Sequence, residues 1–422
     1  MIRRFISNAL SGQMLPVVLS ALLVGCTALQ ARAMGAPVSI ERSEYLPLDG
    51  AKLYLLIRGA DRTAPVLLWL HGGPGGAERP LFRYFNGDLE KSFVVVYWDQ
   101  RSAGRSFDPK ADPNRLTIAQ HLADLDGVVD HLRKTLSQGK IVLMGHSWGA
   151  ALGLLYAQAH PEKVSAFLGV NPLVATRKAQ QAQYDFVSAE ARLRKDDEVL
   201  ARLRQIGTPP FKEARQVLAM ERLVQRYGGV FHKNPPRTWV LLRAISGGLV
   251  TPWEIPRLIH ANNVSLEAMN AELLSLDLSS SVSTVEVPVL LFLGRNDRHM
   301  DAKLAASYFE SLQAPVKRLL WFEESAHNIP FEESSLFNAT VSRELQSIGI
   351  GSSKQDNLPE KATDAQRVVN TWHSTNGSIA MILQPTTEST ICTNDLFQPW
   401  QRKSSWRFVF KWLATGKLAR KR

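Results

Sequence analysis

Short, almost unbroken apolar runs recur through the middle of the chain. VLLWLHG (66–72), FVVVYWD (93–99), IVLMG (141–145), VSAFLGV (164–170), VPVLLFLG (287–294) and VKRLLWF (316–322) have the length of strands buried on both faces. Between them, apolar positions recur every three or four residues, which predicts helices over 117–136, 150–160 and 302–312. Alternating strands and helices predict an α/β fold whose mostly parallel sheet is covered on both faces. The alternation lapses from 174 to 285. That segment is rich in Ala, Arg, Gln and Glu, carries no strand-like run, and reads as a helical cap inserted between two strands. Insertions of this kind lie over the carboxyl ends of the strands, where open α/β sheets bind ligands. The predicted core is thus split into 40–173 and 286–350.

The two ends break the pattern. Arg3 and Arg4 precede MLPVVLSALLVG (14–25), which is short for a membrane span and has the layout of an export signal ending at Cys26. Leu23-Val24-Gly25-Cys26 resembles the lipobox of bacterial lipoproteins. It predicts a lipoprotein-type export signal over 1–26, with Cys26 lipidated as the new N-terminus, and a lipid-anchored place in the bacterial periplasm or cell envelope. Cleavage after Ala31-Arg32-Ala33 is the other reading. From 351 to 422 the chain turns polar and poorly periodic, ending in RFVFKWLATGKLARKR. A disordered basic tail is expected there, with a membrane-surface helix as the alternative.

Charge changes the picture only once it is located. The net charge is +11, but 402–422 hold eight Lys or Arg and no acid, so the remainder carries +3. A nearly neutral body gives no reason to expect nucleic acid as a partner. Cys392 is the second of two cysteines, so a disulfide within the chain would need Cys26. No nucleotide-binding glycine motif and no H-E-x-x-H occurs, so neither a cofactor nor a metal is expected.

The chemistry concentrates in IVLMGHSWGAALGLLYA (141–157). A strand meets a helix at G-x-S-x-G with almost no loop, which places Ser147 at a strained apex. Gly145 and Gly149 are expected because a Cβ there would strike the neighbouring strand or helix. A serine nucleophile needs a base and an acid, in chain order Ser, Asp or Glu, His. Of ten histidines, His299, His327 and His373 follow a later strand. His327 sits in a loop just past the last strand. His299 shares the loop of the best acid, and His373 lies in the tail. The acid is Asp297, directly after VPVLLFLG, with Asp301 as fallback. The glycines of HGGPGG leave backbone N–H groups free for an oxyanion, so Gly72 or Gly73 and the N–H of Trp148 are the expected donors.

HGGPGG, WDQRSAGRS, MGHSWGA, LGRND and SAHNIP, in this order, resemble the proline iminopeptidase branch of the α/β-hydrolase superfamily. The likeness covers roughly 45–173 and 286–345. It implies an eight-stranded sheet, a helical cap, no metal, and action on small peptides or amides with a free N-terminal proline-like residue. It also implies Ser147 as nucleophile, Asp297 as acid and His327 as base. Ala150 and Ser102 stand where the family usually has glycines. Trp253-Glu254 echoes a Trp-Glu pair of the family's cap, which makes Glu254 the candidate for gripping the substrate amine; Glu190 and Glu221 are the others. An esterase or lipase-like hydrolase of small acyl esters is the alternative on the same residues, and a non-catalytic surface binding protein is the third reading.

Overall fold

The computed structural model describes residues 37–233 and 253–351, together with Leu242, Ile245 and Thr251. Cys26, the cleavage site at Ala33 and the tail from 352 lie outside the described residues. No described helix is long and apolar enough to cross a membrane.

The strands are Ile40–Leu48 (β1), Ala51–Gly59 (β2), Val66–Leu70 (β3), Val94–Asp99 (β4), Ile141–His146 (β5), Val164–Val170 (β6), Val289–Gly294 (β7) and Lys317–Phe322 (β8). They form one eight-stranded sheet in the order β1-β2-β4-β3-β5-β6-β7-β8. From β4 through β8 every neighbouring pair is parallel, and β1 and β2 add an antiparallel edge. The six apolar runs are the six strands β3 to β8. The pattern reading passed over β1 and β2, because β1 alternates between half-buried and exposed positions instead of running apolar throughout. Their turn, Asp49-Gly50, has positive φ at both residues, the geometry that Asp-Gly favours in a two-residue hairpin.

Along β3, Val66, Leu68 and Leu70 point into one core and Leu67 and Trp69 into another. That explains the absence of polar positions in these strands. The first core takes in helices Ile118–Thr135 (α2), Trp148–Ala159 (α3) and Ala302–Ser311 (α9); the second takes in Arg79–Asn86 (α1), Ile329–Glu332 (α10) and Ser334–Ser347 (α11). In α2 the Thr117 hydroxyl caps the N–H of Gln120, and Leu125, Val128, Val129 and Leu132 form the buried stripe.

The insertion consists of Thr176–Leu193 (α4), Asp197–Ile206 (α5), Ala214–Arg226 (α6), Ile255–Leu273 (α7) and Leu278–Ser281 (α8), with no strand among its described residues. Its two ends meet. Leu278 N donates to Val174 O at 2.7 Å and Thr176 N to Leu276 O at 3.1 Å. A small core of its own, including Val187, Leu203, Phe211, Met220 and Val224, joins α4, α5 and α6.

Candidate active site

Every candidate from the core sits where a strand ends at the carboxyl edge of the sheet. Ser147 follows β5 with φ 54° and ψ −116°, a conformation costly for any residue with a Cβ. The close approach that imposes it is visible at the flanking glycines. A Cβ on Gly145 would lie 2.3 Å from Gly149 O, and one on Gly149 would lie 2.1 Å from Leu70 O. Strand and helix therefore pack backbone to backbone around the serine.

Asp297, fully buried after β7, accepts His327 Nδ1 on Oδ2 at 2.9 Å. Its other oxygen accepts the N–H groups of His299 at 2.7 Å and Met300 at 3.0 Å. Burial pushes this carboxyl up, but the charge and hydrogen bond of His327 outweigh it, helped by His299 and Met300, and hold it below the usual carboxylate range. Asp301 is instead the cap of α9, accepting Lys303 N at 3.0 Å.

Ser147 and His327 line one cavity of 320 Å³ between the strand ends and the cap, together with Gly72 and Gly73. Gly72 lies against the serine: a Cβ there would come within 3.3 Å of Ser147 Cβ. Trp148 is the first residue of α3, so its N–H has no helical carbonyl to bond. The loop around Gly72 is held by the D-Q-R run after β4. Gln100 donates to His71 O at 2.8 Å through its side chain and to His71 Nε2 at 3.0 Å through its backbone, and Trp148 Nε1 donates to Gln100 Oε1 at 3.1 Å. Burial pushes the His71 imidazole down, in keeping with a neutral ring that accepts on Nε2. Asp99 pairs with Arg79, and Arg101 with Asp124, both as buried ion pairs. Ser102 adopts φ 57°, a conformation that a glycine holds at less cost.

The structure does not bring Glu254 to this cavity. Its carboxylate accepts the N–H and hydroxyl of Thr251 and faces Arg105, while Trp253 is 85% exposed. Glu190 is paired with Arg194 one turn along α4. Glu221, on α6, does line the cavity, and so does Glu78, from the loop before α1. The Oε2 atom of Glu78 is buried with no hydrogen-bond partner among the described residues.

Four residues that the sequence reading left unassigned surround His327. His146 faces its ring at 4.7 Å and bonds its carbonyl; His299 lies edge-on at 4.7 Å. Burial, with the charge of His327 beside it, pushes His299 down to about 4, so this ring is neutral near pH 7. Asn171, after β6, donates to the carbonyls of Ala326 and His327. Glu332 accepts the N–H groups of Ala326 and Asn328, on either side of His327, and that of His232 from the cap.

The model of the family described as alpha/beta hydrolase fold matches residues 65–334. The chain is 31% identical over 306 residues to the probable aminopeptidase YbaC of Bacillus subtilis, covering 72% of this chain and 96% of that one. It is 32% identical over 170 residues to the proline iminopeptidase of Neisseria gonorrhoeae, covering 40% of this chain and 49% of the other. Among solved structures, the proline iminopeptidase of Mycobacterium smegmatis superposes with a TM-score of 0.56 at 19% identity, over 72% of this chain and 98% of its own.

Proposed function

The chain belongs to the alpha/beta hydrolase fold family, in its proline iminopeptidase-like branch, and on that premise we propose a serine hydrolase that removes N-terminal proline-like residues from small peptides or amides. What carries this is the placement of Ser147, at its strained elbow, in one cavity with a His327 already hydrogen-bonded to a buried Asp297. Ser147 attacks the scissile carbonyl while His327 takes its proton through Nε2, the nitrogen left free by Asp297. The oxyanion then forms beside the N–H of Trp148 and the Gly72–Gly73 loop. His327 returns the proton to the leaving amine, and water releases the acyl group by the same steps.

A free substrate amine needs carboxylates within the cavity. Glu221 and the unpaired oxygen of Glu78 meet that need, and Glu254 does not. Each charge-assisted contact is worth roughly 1.5 to 3 kcal/mol. Acetylating the amine of a proline arylamide should therefore lower kcat/KM by about 10- to 100-fold per lost contact. Glu221→Gln should reproduce part of that loss on the free amine only, and Glu254→Gln should not. Equal rates on blocked and free substrate, with faster turnover of p-nitrophenyl esters, would replace the peptidase reading with the esterase one.

We also propose that the mature protein is held to the cell envelope through lipid on Cys26, motivated by Leu23-Val24-Gly25-Cys26. The multiple acyl chains of a lipoprotein bind membranes stably where one chain does not. Cys26→Ser should move the protein from the membrane to the soluble periplasmic fraction. A mature N-terminus at Met34 would show that the anchor is never made.

A further inference from the structure

The proton count at His146 goes beyond the three residues of the proposed chemistry. His146 is the last residue of β5, its ring is buried, and both nitrogens are engaged: Nδ1 lies 2.7 Å from Glu78 Oε1, and Nε2 lies 2.9 Å from the carbonyl oxygen of His327. A carbonyl only accepts, and so does an ionised carboxylate, whereas a neutral imidazole has one N–H to give. Both contacts exist together only while the Glu78–His146 pair keeps two protons. With a single proton, the ring satisfies either the carboxylate or the carbonyl.

We propose that Glu78 and His146 are a positioning pair that holds the His327 backbone in register with Ser147, and that loss of one proton from the pair releases that hold. This rests on the serine-hydrolase reading above. The pair does not touch the reacting atoms; it acts through the peptide of His327. That peptide lies outside the sheet, because β8 ends at Phe322 and the imidazole is carried on the loop between β8 and α10. Other holds on the loop include Asn171 Nδ2, at 2.9 Å from the same carbonyl and 3.0 Å from that of Ala326, the bonds from His327 N and Asn328 Nδ2 to Val230 O at 3.0 and 2.9 Å, and the carboxylates of Glu332 and Glu333.

The charged and titratable groups facing His146 are Glu78 from the loop before α1, His327 on its own loop, and Asp297 and His299 after β7. Burial lowers the His146 imidazole, but Glu78 and the His327 carbonyl outweigh it, so the ring holds its second proton above the ordinary 6.5. Hence the release falls on the alkaline side. Glu332, at the end of α10, holds the loop N–H groups; burial raises it to about 7, and it acts in the opposite sense, since its ionised form, present at higher pH, accepts them best.

The test uses a neutral fluorophosphonate probe, which has no amine and so does not report on carboxylates that would bind one. The rate of labelling is followed in the full-length protein from about pH 6 to pH 10, a window that spans the imidazole range. In the wild type the rate should fall roughly 2- to 12-fold at alkaline pH, the effect of one hydrogen bond. Glu78→Gln should abolish that fall. Its amide donates to Nδ1, so a neutral His146 keeps its one proton on Nε2 for the His327 carbonyl. His146→Gln, whose amide reaches to the same carbonyl without titrating, should also lose the alkaline fall, and it carries the test if Glu78→Gln does not fold. An alkaline fall that persists in the folded variants, or a wild type that shows none, overturns the positioning pair. Labelling of Ser147→Ala as fast as wild type would instead overturn the hydrolase reading beneath it.

Discussion

Ser147→Ala should lower kcat by about 10⁶-fold, and His327→Ala by a similar factor, with the double variant hardly worse than either alone. On the proposed chemistry the two side chains act as one device: without the base the hydroxyl is a poor nucleophile, and without the hydroxyl the base has nothing to activate. The losses should appear in kcat with little change in KM, because neither group is needed to hold the ground state. A residual rate of roughly 10³ to 10⁴ over water is expected from the oxyanion donors and the cavity. Ser147→Ala removes only a hydroxyl from the elbow, and the backbone strain there is set by Gly145 and Gly149 rather than by the serine side chain. Thermal unfolding of the variant should therefore track the wild type. A loss of less than 100-fold for Ser147→Ala, measured on whichever substrate turns over, would remove Ser147 from the nucleophile's role.

How much of this was legible in the sequence follows from how local each signal is. The strands β3 to β8 were readable because burial on both faces leaves an apolar run with no polar alternation. β1 was not, since only one of its faces is covered, and the Asp-Gly turn that would have revealed the hairpin went unused. The placement of Ser147, Asp297 and His327 was legible because each comes within a few residues of a strand's end, so chain order alone puts them on the same edge of the sheet. Glu254 was misplaced for the converse reason. Helical periodicity within the cap says which residues share a face but not which face covers the strand ends, and Glu254 is taken up by Thr251 and Arg105 instead. The network behind His327 was beyond reach from the sequence. His146 meets Glu78 across 68 residues and the His327 carbonyl across 181, and only the strand order of the sheet brings those three loops together.

Asp297→Asn should cost roughly 10⁴ in kcat, less than the loss of Ser147 or His327 and far more than any change at Asp301. In the proposed mechanism, Asp297 Oδ2, 2.9 Å from His327 Nδ1, accepts the proton there and so leaves Nε2 unprotonated for the serine. An asparagine keeps one oxygen, and the N–H groups of His299 and Met300 claim it. Its amide nitrogen then faces Nδ1 as a donor, which drives the ring proton onto Nε2, the atom that has to be a base. The side chain changes little in size, and the two backbone contacts survive, so the folded structure should persist and the loss should fall on kcat. Asp297→Ala gives the same order of loss in kcat, together with destabilisation from two part-buried N–H groups left unpaired, at most about 1 to 3 kcal/mol each. Asp301→Ala, by contrast, removes only a cap from α9, worth about 1 kcal/mol of stability, and should leave kcat within a few-fold. The comparison is decisive between the two aspartates of this loop: a crippling Asp301→Ala beside a silent Asp297→Asn would transfer the acid's role four residues along.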